Sequence, residues 1–317
     1  SLEISLMNLK RKKILVLGST GFLGKRVCKL LIKKKIKFVS SNRKDCDLAN
    51  SLGVEKYIKN KKPHIVINCA AFVGGIHFSR LYPYDVLFKN ITLATNIINA
   101  CHKANVKKIV NISSACIYSD LLDGPFKEIQ IWDKPMHQSV KYYGLSKQYS
   151  FMAAEALSKQ SNTQMINLIP ANLYGPGDKF DKNLSHVASA MISKLYDAKK
   201  KNKNFVEFYG TGRTVREFLH VDDFAEAIIL ATKSYNEIEP LNIGNGTGIS
   251  IKSLFKVINS YIKFNGKVVW NKKYPDGAKY KVMNNNKMIK KLKWRPKISF
   301  EEGISNTIKE FSKNYER

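Results

Sequence analysis

Short apolar runs alternate along the chain with stretches whose apolar positions recur at helical spacing. Most of the runs are rich in Ile and Val and apolar on both faces, which predicts strands of a buried parallel sheet. The predicted strands cover residues 13–17, 37–40, 65–71, 109–114 and 164–169. After the first run, Val27, Leu30 and Leu31 follow a helical pattern. Strands that alternate with helices predict the α/β class, with a Rossmann-like doubly wound parallel sheet.

A glycine-rich turn joins the first strand to the first helix. The spacing Gly-x-x-Gly-x-x-Gly between a strand and a helix is a dinucleotide fingerprint, because glycines let the backbone approach a pyrophosphate at the helix N-terminus. The candidate cofactor-binding residues in this turn are Gly18, Thr20, Gly21, Phe22, Leu23 and Gly24. A glycine-rich turn without a ligand is the alternative.

The second strand ends without the acidic residue that, in this fold, accepts hydrogen bonds from the adenosine ribose hydroxyls. Ser41, Asn42 and Arg43 stand there instead. A guanidinium and small donors suit a 2′-phosphate, so the sequence favours NADPH/NADP over NAD. An ordinary surface arginine is the alternative for Arg43.

The stretch from residue 109 to 147 carries the candidate chemistry. Ser114 ends a predicted parallel strand, and such strands present their carboxyl ends to the ligand crevice. On the following helix, Tyr143 and Lys147 are four residues apart and share one face. An ammonium beside a phenol favours the phenolate, which predicts a lowered pKa for Tyr143. Tyr142 is off register with Lys147, so we expect it to pack or to line the pocket.

The composition limits the choice of partners. The 317 residues are 44% hydrophobic and 25% charged, enough for a full core and for one large domain or two lobes. A net charge of +29 makes nucleic acid or an anionic membrane surface a partner to consider. The lysines are scattered, however, and no recognition module stands out. We interpret the charge as a solvated surface that attracts anionic substrates, and predict no nucleic-acid partner.

The cysteines and the hydropathy pattern bear on location. Five cysteines occur without the paired spacing of zinc sites, and their odd number does not suggest a disulfide scaffold, so we predict no metal and a reducing, cytoplasmic environment. The longest apolar run, residues 65–73, contains Asn68 and is too short to span a bilayer. No signal peptide precedes Met7. We therefore predict no membrane association.

Four motifs narrow the interpretation further. They are Val73-Gly-Gly-Ile76, Ser114-Ala-Cys116-Ile-Tyr118, Asn172-Leu-Tyr-Gly-Pro and Ser185-His186-Val187. In this order, from about Ile14 to the C-terminal helix, the chain resembles the GDP-fucose synthase family of the extended short-chain dehydrogenase/reductase superfamily. The resemblance implies an NADPH-dependent epimerase/reductase that acts on GDP-4-keto-6-deoxymannose. Ala115 departs from the family's usual Ser-Ser-Cys, so a polar group is lost there.

Reduction of a sugar ketone needs a hydride, a proton for the emerging alkoxide and a donor aimed at that oxygen. NADPH would give the hydride, Tyr143 the proton and Ser114 the hydrogen bond, while Lys147 would anchor the nicotinamide ribose. By resemblance, Cys116 and His186 are the catalytic pair that inverts carbons 3 and 5, and a thiol and an imidazole suit proton removal and return. A buried structural cysteine and a histidine that only contacts the cofactor are the alternatives.

The resemblance also implies further binding residues. Additional cofactor contacts are Asp47, Leu48, Ala70, Ala71, Lys147, Pro170, Asn172 and Leu173. The implied nucleotide-sugar contacts are Lys194, Tyr209, Arg216 and Asp276. Arg216 can fork onto a diphosphate oxygen, and Tyr209 can pack against sugar or base. A surface ion pair or a core position is the alternative for each of these four.

Several other functions share this framework. The strongest rival is a C4-reductase that acts after a separate epimerase. A nucleotide-sugar 4-epimerase that retains NAD is a second, and a cofactor-sensing or nucleic-acid-binding protein is a non-enzymatic third. A cofactor-sensing or nucleic-acid-binding protein has no need for Ser114, Tyr143 and Lys147 together, so their joint presence favours an enzyme. The segment between Tyr118 and Tyr143 differs from the family, so a 4-keto heptose is an alternative to a deoxyhexose.

We predict one subunit with two lobes. Residues 7–172 form an NADP-binding Rossmann-like domain, and residues 173–317 form mainly a smaller C-terminal substrate-binding lobe for the nucleotide sugar, with chain crossovers. Apolar stripes on the helices around residues 90–102 and 142–158 predict, by analogy, a homodimer. The alternative is that these stripes cover the sheet of the same chain.

Overall fold

The computed structural model describes residues 9–181, 185–274 and 276–315, so the first residues of the predicted first domain, 7 and 8, lie outside it. The strands are β1 (Ile14–Leu17), β2 (Phe38–Ser41), β3 (Ile65–Asn68), β4 (Lys108–Ile112), β5 (Gln164–Pro170), β6 (Asn172–Tyr174), β7 (Phe205–Tyr209), β8 (Val215–His220), β9 (Leu241–Ile243), β10 (Gly248–Ser250), β11 (Lys267–Asn271) and β12 (Tyr280–Lys281). The α-helices are α1 (Phe22–Lys33), α2 (Ser51–Lys61), α3 (Ile76–Leu81), α4 (Pro83–Lys103), α5 (Lys141–Gln160), α6 (Val187–Lys200), α7 (Val221–Ser234), α8 (Ile251–Ile262), α9 (Asn286–Leu292) and α10 (Phe300–Tyr315).

Six strands form one parallel sheet in the order β2-β1-β3-β4-β5-β9. Every residue of β1 and β3 is buried, as expected for strands of a sheet that helices cover on both sides. The strand order reverses at β1 and β3, and ligands of open α/β sheets bind beyond the carboxyl ends of the strands at such a point. The predicted α/β class with a Rossmann-like doubly wound sheet is confirmed.

Helices cover both faces of this sheet. On one face, α1 packs against α7. On the other, α4 packs against both α2 and α5. Ile97 and Cys101 of α4 and Leu157 of α5 are buried in the core there, so these apolar stripes do cover the sheet of their own chain. Within the described ranges, no helix combines the length and the apolar character needed to cross a membrane.

The C-terminal part of the chain contributes to both lobes. Its strand β9 is the sixth strand of the large sheet, while β8 pairs with β6, β10 and β12 in a smaller one, and β7 pairs with β11. A second core forms where α6, α8 and α10 pack with β7. The predicted boundary near residue 172 stays a prediction.

A row of buried asparagines crosses the large sheet. Asn68, Asn111 and Asn167 are register partners on β3, β4 and β5. Asn68 Nδ2 donates to Asn111 Oδ1 at 3.1 Å, and Asn111 Nδ2 donates to Asn167 Oδ1 at 2.8 Å. At the two ends, Asn68 Oδ1 accepts from the Ala70 amide at 3.0 Å and Asn167 Nδ2 donates to the Ser150 carbonyl at 3.4 Å. The row therefore ties the turn after β3 to α5 through the core.

Candidate active site

Glycines shape the turn after β1. Gly18 has a φ of +72°, in the left-handed region that glycine adopts without steric cost. A Cβ at this position would lie 2.8 Å from the amide nitrogen of Ala70. Within α1, a Cβ at Gly24 would collide with the carbonyl oxygen of Gly18. Backbone of β1, α1 and the turn after β3 therefore meet at distances that only glycine permits.

The N-terminus of α1 opens onto this turn. The helix begins after Gly21, whose amide donates to the Gly18 carbonyl at 3.0 Å. No described side chain caps this helix end, and the first turn of α1 has no acidic residue. Thr20 is exposed beside it, Phe22 is half-buried and Leu23 is buried. Uncapped helix amides bind phosphate, so these residues fit the pyrophosphate of a dinucleotide.

The end of β2 is a tight polar turn. The Asn42 side chain accepts from the Lys44 amide at 2.7 Å, and Asp45 accepts from the Asn42 amide at 2.9 Å. Asp45 is an acidic group that the sequence analysis overlooked, but its carboxylate closes the turn. Arg43 is exposed, and its guanidinium has no hydrogen-bond or ion-pair partner in the part of the chain that the structure describes. Its role toward a 2′-phosphate stays a prediction.

Four more predicted cofactor residues lie beyond β2 and β3. Asp47 is exposed and accepts from the Ala49 amide at 3.1 Å. Leu48 is half-buried, and its carbonyl accepts from Asn96. Ala70 is held by the asparagine row, and Ala71 is exposed. All four follow strands whose carboxyl ends share one edge of the sheet, where a dinucleotide is expected.

The last three predicted cofactor residues follow one another at the end of β5 and the start of β6. Pro170 ends β5, and Asn172 and Leu173 begin β6, with Asn172 Nδ2 donating to the Glu217 carbonyl at 2.9 Å.

Ser113, directly after β4, is buried, and its hydroxyl has no partner in the described structure. Leaving such a group unpaired costs about 1–3 kcal/mol, which points to a bound group that completes it. Ser113 was not predicted, because the pattern assigned the strand-end hydroxyl of the active site to its neighbour Ser114.

The stretch that carries the candidate catalytic residues Ser114 and Cys116 folds as a tight turn against α5. Ser114 begins the short 3-10 helix Ala115–Ile117, and its Oγ accepts from the Cys116 amide at 3.2 Å. Gly144 permits the packing, because a Cβ there would lie 2.9 Å from the Cys116 carbonyl oxygen. The turn with the serine and the cysteine therefore sits against the part of α5 that carries Tyr143.

Tyr143 and Lys147 are both buried on α5. The Lys147 Nζ lies 5.6 Å from the centroid of the Tyr143 ring and donates to the Ile112 carbonyl at 3.0 Å. This bond ties α5 to the end of β4, two residues before Ser114. The structure thus places the three predicted reductase residues around one strand end, and their catalytic roles stay predictions.

The pKa values of this pair differ from the expectation. Burial raises the pKa of Tyr143, and the nearby Cys116 raises it further. Burial lowers the pKa of Lys147 to about 8. The predicted lowering of the Tyr143 pKa is wrong for this structure, because burial disfavours the charged phenolate. Tyr143 is consequently protonated at neutral pH and able to donate its proton.

Cys116 lies among basic side chains. It interacts electrostatically with Lys147, Arg216 and Lys281. The Lys281 Nζ reaches two carbonyl oxygens of the turn that contains Cys116, each at 3.4 Å. The three basic side chains therefore place positive charge beside the Cys116 thiol. Sequence analysis missed Lys281, because only the pairing of the two-residue strand β12 with β8 brings it beside Arg216.

His186 stands at the N-terminus of α6 and is exposed, and the residues before it, 182–184, lie outside the described ranges. It interacts electrostatically with Asp178, whose pKa is raised by burial. Asp178 also accepts from the Ser189 hydroxyl and, at 2.8 Å, from the Lys179 amide. A fixed carboxylate beside an imidazole can hold its tautomer. Among the described contacts, none joins His186 to Cys116.

A cavity of about 330 Å³ opens where α6 faces β7, and we call it the nucleotide cavity because two of the predicted nucleotide-sugar contacts line it. Lys194 and Tyr209 line it, as do His77 and Trp270. The Lys194 Nζ lies 4.9 Å from the Tyr209 ring centroid, and Tyr209 stacks on Tyr274 at 3.9 Å between centroids. An exposed aromatic face beside an ammonium suits a base and a diphosphate. His77 was missed because a lone histidine in a short helix carries no sequence signal.

Asp276 and Arg216 lie beyond the residues that line this cavity, and their side chains interact electrostatically with each other. Asp276 accepts from the amide and the hydroxyl of Thr211, at 2.8 and 2.6 Å, and so holds the turn that follows Tyr209. Arg216 Nη1 donates to the Val215 carbonyl at 2.8 Å, and burial lowers its pKa. A guanidinium has five N–H donors, which leaves Arg216 further donors for a diphosphate.

Comparison with known proteins extends over nearly the whole chain. Residues 14–244 match the NAD dependent epimerase/dehydratase family. A GDP-L-fucose synthase from Sinorhizobium fredii is 33% identical over 303 residues, which are 96% of this chain and 96% of that protein.

Two solved structures are similar over the same extent. A GDP-6-OMe-4-keto-L-xylo-heptose reductase from C. jejuni superimposes with a TM-score of 0.91 at 26% identity, over 96% of this chain and 99% of that one. A GDP-L-fucose synthetase from Naegleria fowleri bound to NADP gives a TM-score of 0.88 at 27% identity, over 97% and 94%. The similarity therefore includes both the cofactor end and the nucleotide cavity.

Proposed function

This chain belongs to the NAD dependent epimerase/dehydratase family, and we propose that it uses NADPH to reduce the C4 ketone of a GDP-4-keto sugar, either a 6-deoxyhexose or a heptose. The sequence-based predictions of a nucleotide-sugar oxidoreductase and of NADPH/NADP as cofactor are confirmed by its relatives. One observation carries the proposal. Ser114, Tyr143 and Lys147 surround one strand end at the cofactor edge of the sheet.

Each of these side chains has a task that its contacts permit. NADPH, when bound, supplies the hydride that adds to the ketone carbon. Tyr143 is protonated and donates to the emerging alkoxide. Ser114 Oγ accepts from a backbone amide, so its own O–H is free to donate to the same oxygen. Lys147 holds the nicotinamide ribose from the helix beneath.

Epimerisation at carbons 3 and 5 is the second part of the proposal. Two features support it: the basic surroundings of Cys116 and the carboxylate of Asp178 beside His186. Protons next to a ketone are acidic, so a thiolate can remove one and an imidazolium can return it from the other face. A reductase that follows a separate epimerase remains the main alternative, because it needs the same reductase residues.

One experiment separates these functions. The purified chain is mixed with NADPH and a GDP-4-keto-6-deoxy sugar in deuterated water, and the product is analysed by mass spectrometry and NMR. We expect NADPH oxidation together with deuterium at carbons 3 and 5. NADPH oxidation without deuterium at these carbons would assign reduction alone. Deuterium uptake without NADPH oxidation would contradict the reductase.

We also propose a homodimer formed through α4 and α5. These helices pack against each other, and their outer sides expose Tyr84, Phe88, Leu145 and Met152 by 42–72%. Tyr84 and Phe88 stack there at 5.5 Å between centroids. Exposed apolar groups on a helix pair favour burial against a second copy. Light scattering should give twice the chain mass, and Phe88→Glu should give the monomer mass.

The five free cysteines favour a cytoplasmic location.

A further inference from the structure

We infer that a second cavity beside Tyr143 is a subsite for a hydroxylated side chain on the sugar, as in a 4-keto heptose, which specifies the substrate of the function proposed above and rests on it. The cavity measures about 210 Å³. The polar and aromatic side chains that line it are Ser79, Arg80, Gln138, Ser139, Tyr142 and Tyr143. We call it the Arg80 cavity.

Its position fits the sugar end of the substrate. Tyr143, the proposed proton donor, forms part of its wall. The short helix α3 borders both cavities, with His77 on the nucleotide cavity and Arg80 on the other. Arg216 lies next to α3, since a Cβ at Gly277 would be 3.1 Å from its Nη2 and 3.4 Å from the Ile76 Cδ1. This arrangement allows a nucleotide sugar to lie along α3, with its nucleotide toward His77 and its sugar toward Arg80.

The side chains in the Arg80 cavity match hydroxyl groups. Arg80 and Gln138 are exposed, and neither side chain has a hydrogen-bond or ion-pair partner among the residues that the structure describes. Ser139 is fixed by a 2.6 Å hydrogen bond to His137 Nδ1, whose Nε2 lies 3.8 Å from Asp120. A guanidinium only donates, whereas an amide and a hydroxyl also accept. A chain with two hydroxyls, each a donor and an acceptor, uses this mixture better than a carboxylate does.

The volume of the Arg80 cavity also favours the side chain of a heptose. A water molecule takes about 30 Å³ of liquid, so the Arg80 cavity is several times larger than one small group. The methyl group of a 6-deoxyhexose would leave most of this volume to water and would give Arg80 and Gln138 nothing to bind. The two-carbon hydroxylated side chain of a heptose reaches farther into the cavity and offers oxygens to both.

Substrate competition tests the subsite. The full chain with NADPH is assayed on a GDP-4-keto-6-deoxyhexose and on a GDP-4-keto heptose with hydroxyls on C6 and C7, and the ratio of kcat/KM values is measured. We expect wild type to prefer the heptose by about tenfold or more, the effect of one or two hydrogen bonds to a charged group. Arg80→Met should lower the ratio by about tenfold, and Gln138→Leu should lower it less. Lys59→Met, an exposed position on α2, is the charge-matched control and should keep the wild-type ratio.

The outcomes separate the two proposals. A wild-type preference for the deoxyhexose, or a ratio that Arg80→Met and Gln138→Leu both leave unchanged, would overturn the subsite while reduction of either sugar still supports the proposed function. If neither sugar leads to NADPH oxidation, both the subsite and the proposed function are overturned. A ratio that falls equally in Lys59→Met would show a general charge effect and would also overturn the subsite.

Discussion

The cofactor end and the nucleotide cavity are built in different ways. At the cofactor end, Gly18 and Gly21 lie in one turn, Gly24 follows in α1, and the backbone itself shapes the predicted binding surface. The nucleotide cavity depends on side chains from separate segments, with Lys194 on α6 and Tyr209 on β7. A contiguous backbone motif can be identified from its spacing alone. A cavity assembled from side chains depends on how distant segments meet, and spacing does not reveal this.

Tyr143 lies on α5 beside the turn that carries Ser114, and its replacement should have the largest effect. Tyr143→Phe removes the proton donor and keeps the ring, so we expect kcat to fall by at least about a hundredfold. NADPH binding, measured by fluorescence titration, should change little, because the lost hydroxyl serves the substrate carbonyl. Tyr261→Phe, an exposed tyrosine on α8, is the matched control. A fully active Tyr143→Phe enzyme would refute the assignment of the proton donor.

Gly24→Ala tests whether backbone contact builds the cofactor end. The added Cβ would collide with the Gly18 carbonyl, so α1 must shift away from the turn. Such overpacking costs about 1–3 kcal/mol, and we expect an NADPH affinity at least about tenfold lower together with reduced stability. Gly53→Ala in α2 is the control, because its Cβ would meet only the Asn50 side chain. Normal NADPH affinity in Gly24→Ala would contradict the backbone account.

Asn111→Leu tests the buried asparagine row of the large sheet. The change leaves the side chains of Asn68 and Asn167 without their shared partner in the core. We expect the free energy of unfolding to fall by about 2 kcal/mol in urea denaturation. Ser158→Ala on α5 removes an exposed hydrogen bond and should change stability by less than about 0.5 kcal/mol. Equal stability of Asn111→Leu and wild type would mean that the asparagine row contributes nothing.

Asp276→Asn should give the smallest effect, and it is confined to the nucleotide cavity. The amide cannot accept from both the amide and the hydroxyl of Thr211, so the turn after Tyr209 loosens. We expect the affinity for GDP to fall by roughly fivefold, equivalent to about 1 kcal/mol, while NADPH affinity is retained. Calorimetric titration with each ligand measures both. An equal loss for the two ligands would show that the two ends are not independent.

The sequence predicted the parts of the site that depend on local pattern. The glycine turn joins a strand to a helix as expected, and Tyr143 and Lys147 lie on one helix face because four-residue spacing guarantees it. The predicted direction of the Tyr143 pKa failed, because burial depends on the tertiary packing of α5. Spacing carries no information about desolvation.

Other features depend on strand register and on contacts between distant segments. Lys281 reaches the turn that contains Cys116 only because β12 pairs with β8. The asparagine row had a signal that went unused, since each of three apolar predicted strands carries an asparagine near its carboxyl end. Recognising the row requires the register that aligns Asn68, Asn111 and Asn167. Arg80 gave no signal, because a cavity between α3 and the start of α5 has no local pattern.

Hydride transfer from labelled NADPH tests the central claim most directly. NADPH carrying deuterium at the transferable C4 position of its nicotinamide is incubated with the chain and a GDP-4-keto sugar, and the product is examined by NMR. Reduction at the Ser114–Tyr143–Lys147 site predicts one deuterium on carbon 4 of the sugar from wild type and almost none from Tyr143→Phe. Oxidised NADPH with no deuterium on carbon 4, or equal labelling by both proteins, would contradict it.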